Sequence, residues 1–129
     1  MFVFSQPEIR QLFRNSQPDQ TGKDHTPVAK LFLPRTGCIW LVTEVDLDNP
    51  ARTLALYDLR QGLIIYDYMD LGEITTIRNI EGQRVMRDPY FTARYPISTY
   101  LNAAFALGYI TEAEMTLRHY AAPKPQGPS

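Results

Sequence analysis

The alternation of apolar and polar positions predicts one helix at the start of the chain. Ser5 is a suitable helix cap and Pro7 suits a first turn. Ile9 and Leu12 then share one face, so we predict an amphipathic helix over about 6–15. The next dozen residues are polar and rich in turn formers, which predicts a loop up to the first strand.

Four apolar segments follow and predict an antiparallel meander. They cover 28–33, 39–45, 53–59 and 63–69. Turn signals separate them, including Asp46 to Pro50, and short connections favour antiparallel pairing. The last segment carries bulky side chains on both faces, so we expect helices to cover one side of the sheet and aromatic side chains the other.

The C-terminal part shows three helical signals. Asp70 and Glu73 resemble a capping box that opens a helix ending near 79–82. The clearest helix is predicted over 96–108, after an irregular or short-strand segment. A second capping box at Thr111 predicts a last helix that ends near His119.

Together these elements predict an α+β fold, with a small antiparallel sheet of about four strands, an N-terminal helix and two to three C-terminal helices packed on it. We expect a single domain over 1–120 and a flexible, proline-rich tail over 121–129.

Composition bounds the function classes. The chain has 129 residues, of which 44% are hydrophobic, and this suits one globular domain. Thirteen basic and fourteen acidic residues give a net charge of −1, which argues against a general nucleic-acid coat. The single cysteine, Cys38, indicates a reducing compartment. Because neither a signal-like leader nor an apolar run of about 20 residues is present, we expect a cytoplasmic protein without membrane contact.

No residue spacing indicates catalysis, a metal or a cofactor. Cys38 would need a base, and the two histidines, His25 and His119, lie in contexts that do not suggest a fixed geometry. Zinc and calcium spacings are missing, and the glycines are too isolated to cradle a phosphate. We therefore expect no cofactor and lean against an enzyme.

An acidic segment between 42 and 73 carries seven acidic and two basic side chains. Alternation places Glu44 and Asp46 on one face of their strand. If neighbouring strands bring Glu44 and Asp58 together, the pair would suit a cation or acid/base chemistry. The alternative, which we favour, is that these groups are solvated strand ends and helix caps.

A basic segment follows, with four arginines among aromatic side chains. The arginines are Arg78, Arg84, Arg87 and Arg94, and the aromatic residues are Tyr90, Phe91 and Tyr95. Arginine beside exposed aromatic groups is typical of single-strand binding. Alternatively, Arg87 pairs with an acid and Phe91 enters the core. The helix over 96–108 is also poor in charge, so it is either buried on two sides, the simpler expectation, or part of a protein interface.

Several blocks, taken in order, resemble a known family. They are Lys30-Leu31-Phe32, Trp40 to Asp46, Tyr57-Asp58-Leu59 with Gly62, Arg87 to Phe91, and Pro96 to Tyr100. They are similar to an uncharacterised bacterial domain family that occurs on plasmids and integrative elements, sometimes near antirestriction-type proteins. Where that family suggests a Pro-Glu-Leu-Gly-Tyr-like stretch, this chain has Leu63 to Tyr68. The missing glutamate either weakens any proposal that the family uses it as a catalytic acid or marks this chain as a divergent member.

The resemblance implies context rather than mechanism. We expect a non-enzymatic accessory protein of a mobile genetic element that acts by protein contact, and interference with restriction or CRISPR immunity would suit it. The alternatives are a single-stranded nucleic-acid binder and a carboxylate-dependent hydrolase or nuclease. The candidate binding residues are Lys30, Glu44, Asp46, Asp58, Arg87, Asp88, Tyr90 and Arg94.

Overall fold

The structure, a computed structural model, describes residues 3–122. Its elements are α1 (Gln6–Asn15), β1 (Ala29–Phe32), β2 (Ile39–Asp46), β3 (Asn49–Asp58), β4 (Ile64–Asp70), α2 (Leu71–Ile74), β5 (Met86–Arg87), α3 (Ile97–Leu107) and α4 (Glu114–Tyr120). The predicted flexible tail begins where α4 ends, and most of it lies outside the described residues.

The sheet is antiparallel and has five strands in the order β4-β3-β2-β1-β5. The α+β prediction is confirmed, with one more strand than expected. The additional strand, β5, is only two residues long and pairs with the end of β1. A strand of this length cannot show an alternating pattern, which is why the sequence marked the segment only as irregular or short strand.

Helices cover both faces of the sheet, which corrects the expectation that they cover one. The first core lies between the sheet and α1 with α2; its fully buried members include Leu12, Leu31, Trp40, Val42 and Ile74. The second core lies between the other face and α3 with α4; it contains Leu41, Leu56, Ile97, Tyr100, Ile110 and Leu117. Successive residues such as Trp40 and Leu41 enter opposite cores, so the central strands are apolar on both faces.

The N-terminal helix matches its prediction. The Ser5 hydroxyl accepts a hydrogen bond from the Glu8 amide, and the Glu8 carboxylate accepts one from the Ser5 amide at 2.8 Å. This reciprocal capping box satisfies two amides that would otherwise lack partners at the start of the helix.

The helix after Asp70 is much shorter than predicted. Asp70 caps it, but α2 ends at Ile74 rather than near 79–82. The Thr75 and Thr76 hydroxyls donate hydrogen bonds to backbone carbonyls three residues earlier, at 2.8 and 2.7 Å. β-branched threonines that bond locally to the backbone compete with helix propagation, so the chain leaves the helix as a tighter turn.

The last two helices also depart from expectation. The Thr111 hydroxyl accepts a bond from the Ala113 amide, so the predicted capping box does not form and α4 begins at Glu114. Helix α3 ends as predicted at Gly108, whose φ of 82° suits glycine. However, only one side of α3 is buried, and Phe105 is 63% exposed, so the expectation of two-sided burial is wrong.

Within residues 3–122, no helix has the length and apolarity that crossing a bilayer requires.

Candidate functional site

A β-bulge in strand β2 determines where Glu44 points. Val42 lies opposite Ala55 and Glu44 lies opposite Leu54, so Thr43 is an extra residue without a partner on β3. The Thr43 hydroxyl lies 2.9 Å from the Tyr66 hydroxyl, on the side of the second core. The extra residue interrupts alternation, so Glu44 does not follow Val42 into the first core.

The end of α1 forms hydrogen bonds with the backbone of β2 on both sides of Glu44. The Asn15 side-chain amide donates to the Thr43 carbonyl at 3.0 Å, and the Ser16 hydroxyl accepts from the Val45 amide at 2.8 Å. Both side chains are buried. The two residues therefore anchor α1 at the bulge and start the loop over 16–27 there.

Glu44 is only 1% exposed, and this loop closes over it. Its carboxylate accepts hydrogen bonds from the Thr21 hydroxyl at 2.6 Å and the Gly22 amide at 3.1 Å. Farther along the loop, the Asp24 carboxylate accepts bonds from the amide and the hydroxyl of Ser98. Glu44 thus holds in place a loop that also binds the first turn of α3, and this role is structural.

Asp58 lies at the opposite end of the same strand pair. It is opposite Ile39, five positions along β2 from Glu44, which corresponds to about 15 Å. The structure therefore does not join Glu44 and Asp58 into one site. Asp58 is buried and accepts a bond from the Arg60 amide at 2.8 Å, with the Arg60 guanidinium 3.6 Å from its other oxygen.

Asp46 and Arg87 also have structural partners. Asp46 accepts a hydrogen bond from the Asp48 amide in the β2–β3 turn and pairs with Arg52 at 3.3 Å. Arg87 donates to Glu8 at 2.6 Å, and this hydrogen bond raises the pKa of Arg87. The pair ties β5 to the first turn of α1, in agreement with the alternative that Arg87 pairs with an acid.

The remaining candidates meet at a cleft on the side of the second core. We call it the Arg94 cleft; its volume is about 510 Å³, and it is lined by Asp88, Tyr90, Phe91, Thr92, Arg94, Tyr95, Tyr100, Glu112, Glu114 and Leu117. The segment between β5 and α3 contributes one group of these residues, and the segment around the start of α4 contributes another. Tyr100 and Leu117 are buried, so they form its apolar base.

Two ion-pair networks organise the charges of the cleft. Lys30, whose side chain is 13% exposed, lies 2.5 Å from Glu112 and 3.6 Å from Asp88. The Tyr95 hydroxyl donates to Glu114 at 2.7 Å, with Arg118 at 3.5 Å from the same carboxylate oxygen. The Tyr95 bond is the main cause that lowers the pKa of Glu114 and raises that of Tyr95. Burial raises the pKa of Tyr100.

The structure divides the sequence candidates into two groups. Lys30, Asp88, Tyr90 and Arg94 lie in or beside the cleft, whereas the other four, Glu44, Asp46, Asp58 and Arg87, serve separate structural contacts. Sequence reasoning missed Glu112 and Glu114 as cleft residues because their spacing indicated a helix cap. Lys30 and Glu112 are 82 positions apart, so no local pattern could have joined them.

Comparisons with known proteins identify one family. Neither curated proteins nor solved structures include a match to this chain. Within residues 3–122, no group of three or more His, Cys, Asp or Glu side chains is arranged to hold a metal ion. The family model described as "Protein of unknown function (DUF2958)" matches residues 3–111. Because this match covers most of the sequence, the chain belongs to the DUF2958 family.

Proposed function

We propose that this chain is a non-enzymatic accessory binding protein that acts by contact with a protein partner, and that the Arg94 cleft is the contact surface. The observation that carries the proposal is a mixed-charge cleft with a large exposed aromatic residue in its lining. Tyr90 is 91% exposed, although it lies beside the buried base of the cleft. Tyrosine and arginine are enriched at the centres of protein interfaces.

The charge pattern favours a protein over a nucleic acid. Three carboxylates line the cleft, from Asp88, Glu112 and Glu114. A nucleic-acid strand presents closely spaced phosphates, so a strand that reached Arg94 would also bring phosphates towards these acids. Arg87, which a nucleic-acid binder would use, is instead paired with Glu8. A protein segment with separate charged and apolar groups avoids this repulsion.

The elements that build the cleft also expose apolar side chains outside it. Helix α4 exposes Met115 next to Glu114, α3 exposes Phe105 near its end, and Tyr109 is exposed just after α3. Large exposed apolar groups on neighbouring elements are a common feature of interaction surfaces. They supply area around the cleft that a partner would need to cover.

The biological setting that we propose is the cytoplasm of a bacterium that carries a mobile genetic element. Interference with a host defence, such as restriction or CRISPR immunity, suits a small binding protein without catalytic spacing. The family resemblance supports this setting, but the cleft geometry does not depend on it.

A pull-down from a bacterial lysate tests the proposal. The tagged chain is used with and without nuclease, and the retained proteins are identified by mass spectrometry. We expect one specific protein to be retained equally in both samples, because the contact needs no nucleic acid. Loss of all retained material after nuclease treatment would contradict protein contact.

A second candidate function, single-stranded nucleic-acid binding, is favoured by a different feature. Arg78 and Arg84 face each other in an isolated antiparallel bridge, and Ile80 at the tip between them is fully exposed. This function predicts affinity that falls steeply with added salt.

The third alternative, a carboxylate-dependent hydrolase or nuclease, gains no support from the fold because Glu44 and Asp58 are held apart.

A further inference from the structure

We propose that one end of the sheet is a second binding surface, which holds the phosphate backbone of a single-stranded nucleic acid through exposed arginine side chains. We call this surface the basic end; it consists of the β1–β2 turn over 33–38, the β3–β4 turn over 59–63 and the hairpin over 78–84. The pocket at this surface shares no lining residue with the Arg94 cleft, so the proposal does not depend on the protein partner.

The antiparallel register places the two turns at the same end of the sheet. Ile39 begins β2 opposite Phe32, the last residue of β1, and opposite Asp58, the last residue of β3. Asp58 in turn lies opposite Ile64, the first residue of β4. Consecutive turns of a meander alternate between its two ends, so the β1–β2 and β3–β4 turns lie side by side.

The hairpin over 78–84 is attached to these turns through Asn79. The Asn79 side-chain amide donates a hydrogen bond to the Pro34 carbonyl at 2.8 Å. Its side-chain oxygen accepts bonds from the Glu81 and Gln83 amides at 2.9 and 3.0 Å. The hairpin is therefore folded by its own hydrogen bonds and forms one surface with the β1–β2 turn.

Positive charge is in surplus at the basic end. Its arginines, two from the turns and two from the hairpin, are Arg35, Arg60, Arg78 and Arg84. Glu81 pairs with Arg35 at 2.8 Å, and the buried Asp58 lies 3.6 Å from Arg60. The three segments contain no other Asp or Glu. Four positive charges against two negative charges leave a surplus of two, whichever arginine each carboxylate is assigned to.

The surplus falls on Arg78 and Arg84, which lie directly opposite each other in an antiparallel bridge. Side chains paired in this way share one face, with Cβ atoms about 5 Å apart, and like charges there repel. Over residues 3–122, the ion pairs within 4.0 Å include neither arginine. Arg78 donates to the Thr75 and Ile77 carbonyls, which are neutral and do not balance its charge. An anion bound between the two guanidinium groups would remove the repulsion.

The two turns hold arginine where the backbone suits glycine. Arg35 has a φ of 60° and Arg60 a φ of 62°, left-handed values that are unfavourable for a residue with a Cβ atom. Gly37 leaves room for the Arg60 side chain, because a Cβ atom at Gly37 would lie 2.6 Å from Arg60 Cδ. The unfavourable backbone thus coincides with exposed cations, which is typical of positions whose side chain serves binding.

A pocket and exposed apolar side chains favour a nucleic-acid strand as the ligand. The pocket, of about 510 Å³, is lined by Arg35 and Arg78 and by the buried Leu33. Ile80 at the hairpin tip is fully exposed, and Leu63 is 64% exposed. A strand presents closely spaced phosphates to neighbouring arginines and its sugars and bases to the apolar groups. A surplus of two charges suits a few nucleotides of one strand rather than both backbones of a duplex.

The experiment is a fluorescence-anisotropy titration of the full chain with a short labelled oligothymidylate at several salt concentrations. We expect Arg78→Gln/Arg84→Gln to weaken binding at low salt by about tenfold. The plot of log affinity against log salt concentration should also become shallower by about 1.4, because each lost phosphate contact on a single strand changes the slope by about 0.7.

Arg10→Gln/Arg14→Gln is the matched control. It removes two exposed arginines from α1, so the net charge changes equally on another surface. Salt screens distant charges, and the control should therefore bind within about twofold of the wild type. Circular dichroism checks the fold of both variants. In the wild type, an NMR titration should show amide shifts over 33–38, 59–63 and 78–84, which locates the site without any substitution.

Four outcomes would overturn the inference. They are no oligothymidylate binding at low salt, equal losses in the two double variants, amide shifts confined to other segments, and equal affinity for a polyglutamate peptide of the same charge. The last would indicate an acidic protein region as the ligand. Each leaves the proposed function standing, because the nuclease-treated pull-down tests protein contact without nucleic acid.

Discussion

Glu44 shows how a charged residue serves the fold of this protein. A buried carboxylate is strongly destabilising unless hydrogen bonds replace its hydration. Its donors, the Thr21 hydroxyl and the Gly22 amide, both come from the loop over 16–27. The same loop binds the first turn of α3 through Asp24, so the carboxylate couples the bulge of β2 to the helix that forms the base of the Arg94 cleft.

Substitution of Glu44 tests this role. Glu44→Ala removes the carboxylate that accepts hydrogen bonds from the Thr21 hydroxyl and the Gly22 amide. Because both donors then lose their acceptor, we expect the free energy of unfolding to fall by about 3 kcal/mol. Urea denaturation followed by circular dichroism measures the change. Asp19→Ala, an exposed acid in the same loop, is the matched control and should change stability by less than about 0.5 kcal/mol. Equal stabilities of the two variants would show that Glu44 does not hold the loop.

Glu114 carries a prediction about pH. Its hydrogen bond with Tyr95 lowers its pKa below the ordinary 4.5. A lowered pKa in the folded state means that the bond stabilises the fold above the ordinary pKa, and that this contribution is lost as the pH falls through the folded value. In Tyr95→Phe, an NMR titration of the Glu114 carboxyl should show the pKa moving up towards 4.5. An unchanged pKa would exclude the Tyr95 bond as the cause.

Among the elements, strands were easier to predict than the irregularities that position the side chains. The four long strands and α1 follow from alternation and capping, which are local signals. The bulge at Thr43 adds one residue to β2 without changing its composition, so alternation alone could not reveal it. Likewise, α2 ends early because Thr75 and Thr76 bond to the backbone, although Ile77 continues the helical spacing.

Strand β4 forms one edge of the sheet, and Asp67 lies near its middle. Its carboxylate accepts a hydrogen bond from the Tyr68 amide at 2.7 Å. The other residues of the strand, apart from Asp70 at its end, are apolar or aromatic, so the charge of Asp67 discourages this edge from pairing with a second copy of the chain.

We therefore expect Asp67→Val to increase self-association. Analytical ultracentrifugation over a range of protein concentrations measures it, with Asp48→Val in the exposed β2–β3 turn as the matched control. The control adds the same apolar side chain away from the sheet edge and should sediment like the wild type. If both variants sediment like the wild type, Asp67 has no role in protecting the edge.

The whole molecule is a sheet between two helical layers, and the cleft belongs to one of them. Its ion pairs join parts of the chain that are far apart in sequence, such as Lys30 of β1 and Glu112 before α4. For this reason the sequence could indicate four cleft residues only as separate candidates, and the fold brings them together. They are Lys30, Asp88, Tyr90 and Arg94. Arg87 lies next to Asp88 in sequence, yet its side chain pairs with α1 instead.

The most direct test of the account compares partner retention by two double variants in the nuclease-treated pull-down. Tyr90→Ala/Arg94→Gln changes the lining of the cleft, whereas Phe105→Ser/Tyr109→Ser changes exposed residues at and just after the end of α3, outside the cleft. The account predicts that the cleft variant loses the retained protein by at least about tenfold and that the α3 variant keeps most of it. Full retention by the cleft variant, with loss in the α3 variant, would contradict the account and place the contact on α3.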